Sequence, residues 1–101
     1  MTVIDKQIKI APEIVTEFIF EGKQATFEGE PGFQFEANTL IGRRDDDLLH
    51  QLVLRRIEDG ALYLYEYSVY EHEDYTFRLY SDVVFRLAEH KEKIVKYYQV
   101  V

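Results

Sequence analysis

The densest group of potential metal ligands lies in YEHEDY, where Glu71, His72, Glu73 and Asp74 are consecutive. Carboxylate and imidazole groups are ligands for divalent cations. Consecutive residues of an extended strand point to opposite faces, and a tight turn directs them into solvent, so a closed site would need further ligands from elsewhere in the chain. We therefore interpret this group as a solvated turn and predict neither a metal site nor a bound cofactor.

Other reactive residue types do not have the spacing that catalysis requires. The charged segment RRDDD, residues 43–47, lacks the alternating oxygen ligands and the turn glycine of a calcium-binding loop and is interpreted as a charged loop or helix start. His50 and His90 are isolated, and neither Ser68 nor Ser81 lies in a GxSxG motif. The chain contains no cysteine, which excludes a thiolate zinc site and a cysteine nucleophile. No catalytic residue is predicted, and an enzyme is kept only as an alternative.

The most unusual stretch is ALYLYEYSVYEHEDYTFRLY, residues 61–80, which holds six of the eight tyrosines of the chain. In an extended strand over residues 62–70, the tyrosines at alternate positions, Tyr63, Tyr65 and Tyr67, lie on one face. Their rings can pack in a core while the hydroxyls reach water, or part of the row can form a recognition surface, since tyrosine is enriched in binding hot spots. For a partner-binding surface we predict Tyr63, Tyr65 and Tyr67, with Arg55 and Arg56 as cross-strand neighbours.

The segment before these tyrosines fits two structures. As a helix, residues 45–57 begin with three aspartates and end near two arginines, which suits the helix dipole. As a strand, Leu49, Gln51 and Val53 share a face, and the Asp59–Gly60 pair forms a type I′ turn into ALYLYEY. We favour the hairpin and keep the helix open.

The ends of the chain show two different periods. Ile14, Thr16, Phe18 and Phe20 alternate with other residues, which predicts a strand over residues 13–21. Near the C-terminus the apolar spacing becomes i, i+3, i+4, and Ser81 suits a helix N-cap. The residues on this stripe are Val84, Leu87, Ala88, Lys91, Ile94, Val95, Tyr98 and Val101. We therefore predict an amphipathic C-terminal helix.

A length of 101 residues suits one domain with a single core. We predict one α+β domain over residues 1–101. Its fold is an antiparallel β-meander of about five or six strands packed against one C-terminal helix.

The net charge limits the class of partner. Nineteen acidic and twelve basic residues give a formal charge of −7. Such a field repels phosphate backbones, which disfavours nucleic acid as a partner, and it attracts basic proteins. No run approaches the roughly eighteen apolar residues of a membrane helix, and no export signal is visible, so we expect no membrane partner and a cytoplasmic protein.

These observations favour a non-catalytic protein-protein interaction module, or a homo-oligomer, that docks through a tyrosine-rich sheet face. One alternative is a small-ligand-binding protein or small enzyme with a pocket between sheet and helix. A deep cavity with convergent polar groups would favour it. The other alternative is an acidic inhibitor or antitoxin of a basic, nucleic-acid-binding partner, which strong salt dependence of binding would favour.

Overall fold

An antiparallel sheet carries most of the regular structure. The computed structural model describes residues 6–70, 79, 81–91 and 97–101. Within these residues the chain forms seven strands and one α-helix, with a 3-10 turn at Gly22–Gln24. The elements in chain order are β1 (Gln7–Ile10), α1 (Pro12–Glu21), β2 (Thr26–Phe27), β3 (Phe33–Arg44), β4 (Asp47–Arg56), β5 (Leu62–Tyr70), β6 (Val83–Lys91) and β7 (Tyr97–Val100).

The sheet is a meander in which the first and last strands, β1 and β7, both pair with β6. Strands β2 to β6 follow one another in space as in sequence, which confirms the meander part of the prediction. Strand β1 pairs with the first half of β6 and β7 pairs with its second half. Between them, the Leu87 N–H donates to the Lys6 carbonyl and the Leu87 carbonyl accepts from the Val101 N–H. The two terminal strands therefore lie end to end along one edge of β6.

The predicted C-terminal helix is wrong, because Val83–Lys91 is strand β6. Val83 and Phe85 are buried and Leu87 is half-buried, whereas Val84 and Arg86 are exposed. The segment therefore fits a period of two as well as a helical period. Pairing with β1, β5 and β7 decides between the two, since strand propensity depends on neighbouring strands. Residues 92–96 of the predicted helix lie outside the described residues.

The helix of this fold lies instead at the N-terminus, where the alternation predicted a strand. Pro12 occupies the first turn of α1, where its fixed φ and missing N–H cost nothing. Val15 and Phe18 are buried on one side of the helix. Gly22 ends it with a φ of 59°, and its N–H donates to the Phe18 carbonyl. The helix start signal at Pro12 and the stop signal at Gly22 therefore predict this segment better than the alternation does.

The favoured hairpin is confirmed, but its turn is not the predicted one. Strands β4 and β5 pair in continuous register from Asp47↔Tyr70 to Arg55↔Leu62. A type I′ turn needs a positive φ at both central residues. Gly60 has a φ of 74°, but Asp59 does not have the positive φ that this turn needs. Among the described non-glycine residues, a positive φ occurs at Asp45. The connection is instead a longer loop over residues 57–60, in which the Gly60 N–H donates to the Arg56 carbonyl at 2.8 Å.

The sheet has a helix face, on which α1 packs, and an outer face opposite to it. The main core on the helix face contains Ile10, Val15, Phe18, Ala25, Phe33, Leu52, Leu54, Tyr63, Tyr67, Val83 and Phe85. A smaller core on the outer face contains Val53, Leu64 and Ala88, with Tyr98 of β7 packed against it. Both faces of the central strands are therefore buried, which explains the nearly continuous apolar run of β4.

We predict that Leu54→Ala lowers the free energy of unfolding by about 2 to 5 kcal/mol, because it leaves a cavity in a fully packed core. Leu54 is 0% exposed, whereas Leu40 on β3 is 55% exposed. The matched substitution Leu40→Ala should change the free energy by no more than about 0.5 kcal/mol. Urea denaturation of both variants measures the difference. Equal losses would contradict the assignment of β4 to the core.

Candidate functional site

A row of four neighbouring rings, three of them stacked, crosses the helix face, and we call it the aromatic row. It consists of His50, Tyr67, Tyr65 and Phe85. The centroids of His50 and Tyr67 are 5.2 Å apart with ring planes at 13°, and those of Tyr67 and Tyr65 are 5.9 Å apart at 18°. Tyr65 continues to Phe85 at 5.5 Å. The row forms because alternate residues of β5 share a face and His50 is the register partner of Tyr67.

Burial shifts the pKa of three side chains of the row. Burial raises the pKa of Tyr65 and of Tyr67, and it lowers the pKa of His50. The Tyr67 hydroxyl lies 2.8 Å from Asn38 Nδ2, which donates to it, and 3.1 Å from Asn38 Oδ1. Phenols with a raised pKa stay protonated at neutral pH. The two tyrosines of the row are therefore uncharged.

The five residues predicted to bind a partner do not lie on one surface. Tyr63 is 0% exposed and Tyr67 is 8% exposed, whereas Tyr65 is half-buried. Arg56 is 7% exposed on the helix face, and Arg55 points to the outer face. The structure thus brings Tyr65 and Tyr67 together, places Tyr63 beside Arg56, and separates Arg55 from the rest. Partner binding by this set stays a prediction.

Arg56 closes the loop between β4 and β5. Its guanidinium lies 5.3 Å from the centroid of the Tyr63 ring, a cation–π contact. Arg56 Nε donates to Asp59 Oδ1 at 3.0 Å, and Nη2 donates to Oδ2, which makes the pair bidentate. Asp59 Oδ1 also accepts the Ala61 N–H at 3.0 Å. The hydrogen bond from Arg56, followed by that from Ala61, lowers the pKa of Asp59 from 3.8 to about 2.

We predict that this pair makes stability sensitive to acid. The pKa of Asp59 is about 2 in the fold and 3.8 ordinarily, so the ionised carboxylate stabilises the fold. That contribution is complete above the ordinary pKa and is lost as the pH falls through 3.8 towards 2. Urea denaturation between these values should show a steeper loss for the wild type than for Asp59→Asn. Parallel pH profiles would contradict the pairing. Glu58→Gln, in the same loop, is the control.

Arg55 links three strands on the outer face. Its Nε and Nη2 donate to the two carboxylate oxygens of Glu36 at 3.1 and 2.7 Å. Glu36 is the extra residue of a bulge in β3, which re-aims its side chain towards Arg55. The hydrogen bond to Glu36 raises the pKa of Arg55. Burial and then the nearby Glu36 raise the pKa of Tyr98. This contact holds β3, β4 and β7 together, so it is structural.

A groove opens where β6 leaves β5. The ladder between these strands ends at Leu64↔Arg86, while β6 continues in register with β1 on its other edge. Two adjoining clefts of about 440 and 410 Å³ share Tyr65 and Glu66. The first is lined by Ile41, Leu49, Tyr65, Glu66, Tyr67, Ser68 and Leu79, and the second by Leu64, Tyr65, Glu66, Val84, Arg86 and Val100. We call the two clefts together the groove.

Apolar side chains are exposed along the groove. Ile41 is 47% exposed, Val84 42% and Val100 38%. Ile41 is the extra residue of a second bulge in β3, between Leu40 and Gly42. Sequence reasoning missed these residues, because a bulge has no signature in the alternation and Val84 was assigned to a helix. Only Tyr65 and Tyr67 of the groove were predicted as site residues.

Within the described part of the chain, no three His, Cys, Asp or Glu residues are grouped so that they could hold a metal ion. The YEHEDY segment lies outside the described residues. The described residues also contain no helix that is long and apolar enough to cross a membrane.

Comparison of the chain with protein-family models, with curated proteins and with solved structures gave no match. The functional argument therefore depends on the geometry of the site.

Proposed function

We propose that this chain is a non-catalytic protein-interaction module whose groove binds an extended, positively charged segment of a protein partner. The observation that carries the proposal is the end of the β5–β6 ladder at Leu64↔Arg86, beside two partly apolar clefts. Backbone, side chains and charge each support this kind of partner.

The backbone of β5 supports strand addition. The N–H and carbonyl of Leu87 face β1 and β7, so the same groups of Arg86 face β5 and bond to Leu64. Alternate residues direct these groups to the same edge, so Glu66 and Ser68 follow Leu64 along it. Among the described residues, β6 forms no ladder with β5 beyond Leu64. Peptides that add to such an edge gain main-chain hydrogen bonds.

The two clefts support recognition of alternate side chains. They meet at Tyr65 and Glu66, and each adds aliphatic residues of its own. Alternate side chains of a strand are roughly 7 Å apart and point the same way. An extended segment along β5 would therefore place one apolar side chain near Ile41 and Leu49 and another near Val84 and Val100.

Charge supports a basic partner rather than a second copy. The chain has a formal charge of −7, whereas the exposed Glu66 and Arg86 of the groove have opposite signs, so the preference comes from the net charge of the chain. A second copy carries the same excess of acidic residues and is repelled, whereas a segment with lysine or arginine is attracted. The same field supports the acidic-inhibitor alternative, which also requires a basic partner. That alternative becomes a special case of the proposal.

The proposal predicts which peptides the protein selects from a phage-displayed library of random twelve-residue sequences. We expect enriched peptides to alternate apolar residues and to carry lysine or arginine. Their affinity should fall as salt rises, because the charges are exposed and screened. In amide NMR spectra, the peptides should shift the signals of Glu66 and Ser68. Val84→Ser and Ile41→Ser should each weaken binding at least about tenfold, which corresponds to roughly 1.4 kcal/mol.

Phe20→Ser is the matched control, because Phe20 is 60% exposed on α1 and does not line the groove. It should leave peptide affinity unchanged. No enrichment, or shifts confined to α1, would contradict the proposal. Sedimentation velocity tests the homo-oligomer separately. A dimer that Val84→Ser dissociates would replace the basic partner by a second copy.

A further inference from the structure

A third cleft, of about 320 Å³, lies on the helix face at the N-terminal end of α1. Strand β1, the start of α1, the loop before β3 and the end of β4 enclose it, and we call it the helix-end cleft. Its apolar lining includes Ile8, Ile10, Ile14, Phe27 and Phe33. It shares no lining residue with the groove.

Two glycines fix the wall of this cleft. A Cβ on Gly29 would lie 2.3 Å from the Phe27 ring, so the ring packs directly on the glycine backbone. A Cβ on Gly32 would lie 3.0 Å from the Phe27 carbonyl oxygen and 3.1 Å from Ile57 Cδ1. Side chains at these two positions would push Phe27 and Ile57 away. The loop therefore holds the Phe27 ring in place as part of the apolar lining.

The charges around the helix-end cleft cancel. Arg56 is buried at one side of it, but Asp59 binds that guanidinium through two hydrogen bonds. Lys9 and Glu30 line the cleft as exposed residues of opposite sign. The side chains leave no net charge for an entering ion, and the apolar lining would not replace the hydration that the ion loses. Uncharged molecules do not incur that cost.

We propose that the helix-end cleft binds an uncharged, apolar small molecule, such as a short alkyl chain or a single ring with a hydroxyl group. A volume of about 320 Å³ is at the lower end for ligand sites, which suits on the order of ten non-hydrogen atoms. Binding is driven by burial of the ligand against the three isoleucines and two phenylalanines of the lining. The site is independent of the groove and does not rest on the proposed protein partner.

Titration with straight-chain primary alcohols from butanol to decanol tests the proposal. The signals of the isoleucine δ1 methyl groups report the site by NMR. We expect saturable shifts at Ile8, Ile10 and Ile14. Affinity should rise about fourfold for each added methylene until the cleft is full. The carboxylate of equal chain length should bind at least tenfold more weakly than the alcohol, because the cleft offers its charge no compensation.

Three variants of α1 test whether the alcohols bind specifically in the helix-end cleft. Ile14→Trp fills the cleft and should weaken alcohol binding at least tenfold, whereas Phe20→Trp, on an exposed part of the same helix, should not. Ile14→Ala enlarges the cleft and should move the best chain length to longer alcohols. This variant keeps the test valid where Ile14→Trp does not fold. Unchanged affinity in both Ile14 variants overturns the proposal. Tighter binding of carboxylates overturns the uncharged ligand.

Discussion

The structure depends on strand β6, which pairs with three other strands. One edge of β6 pairs with β5 over three register pairs, and the other edge pairs with β1 and then with β7. Leu87 stands at the junction, where its N–H and carbonyl bond to the two terminal strands. The pairing of β5 with β6 ends at Leu64↔Arg86, whereas the pairing of β6 with β1 on the other edge continues from Arg86 to Val83. The groove lies where β5 loses its pairing with β6 while β6 stays paired with β1.

The pairing of β1 with β6 also decides where the helix lies. Strand β1 is separated from α1 by Ala11 alone, so the helix must start at the edge that β1 forms and cross the helix face from there. Val15 and Phe18 then join the core that contains Tyr63 and Phe85. A ten-residue helix is about 15 Å long and cannot cover the whole face. The helix-end cleft lies at the N-terminal end of the helix, where part of the face is uncovered.

The sequence predicted the central part of the fold better than its ends. Strand parity placed Tyr63, Tyr65 and Tyr67 on one face, because β4 and β5 are neighbours in sequence and their pairing is local, but the prediction wrongly grouped Arg55 with Arg56. The helix was assigned to the wrong end since Val84, Leu87 and Ala88 fit two periods, and only pairing with distant strands selects one. The α1 helix could have been found from Pro12 and Gly22. The bulges that expose Ile41 and re-aim Glu36 follow from sheet geometry that no local pattern encodes.

Two of the strand edges that are unpaired among the described residues differ in their protection. Strand β2 covers only Phe33 and Gln34 of β3, so the rest of that strand is an edge among the described residues. Two bulges and the charged turn at Asp45 interrupt it, which are features that oppose pairing with another chain. The β5 edge at Glu66 and Ser68 has an unbroken register with β4 and is flanked by clefts. An interrupted edge on β3 together with a regular strand beside the groove on β5 is the arrangement that the proposed strand addition requires.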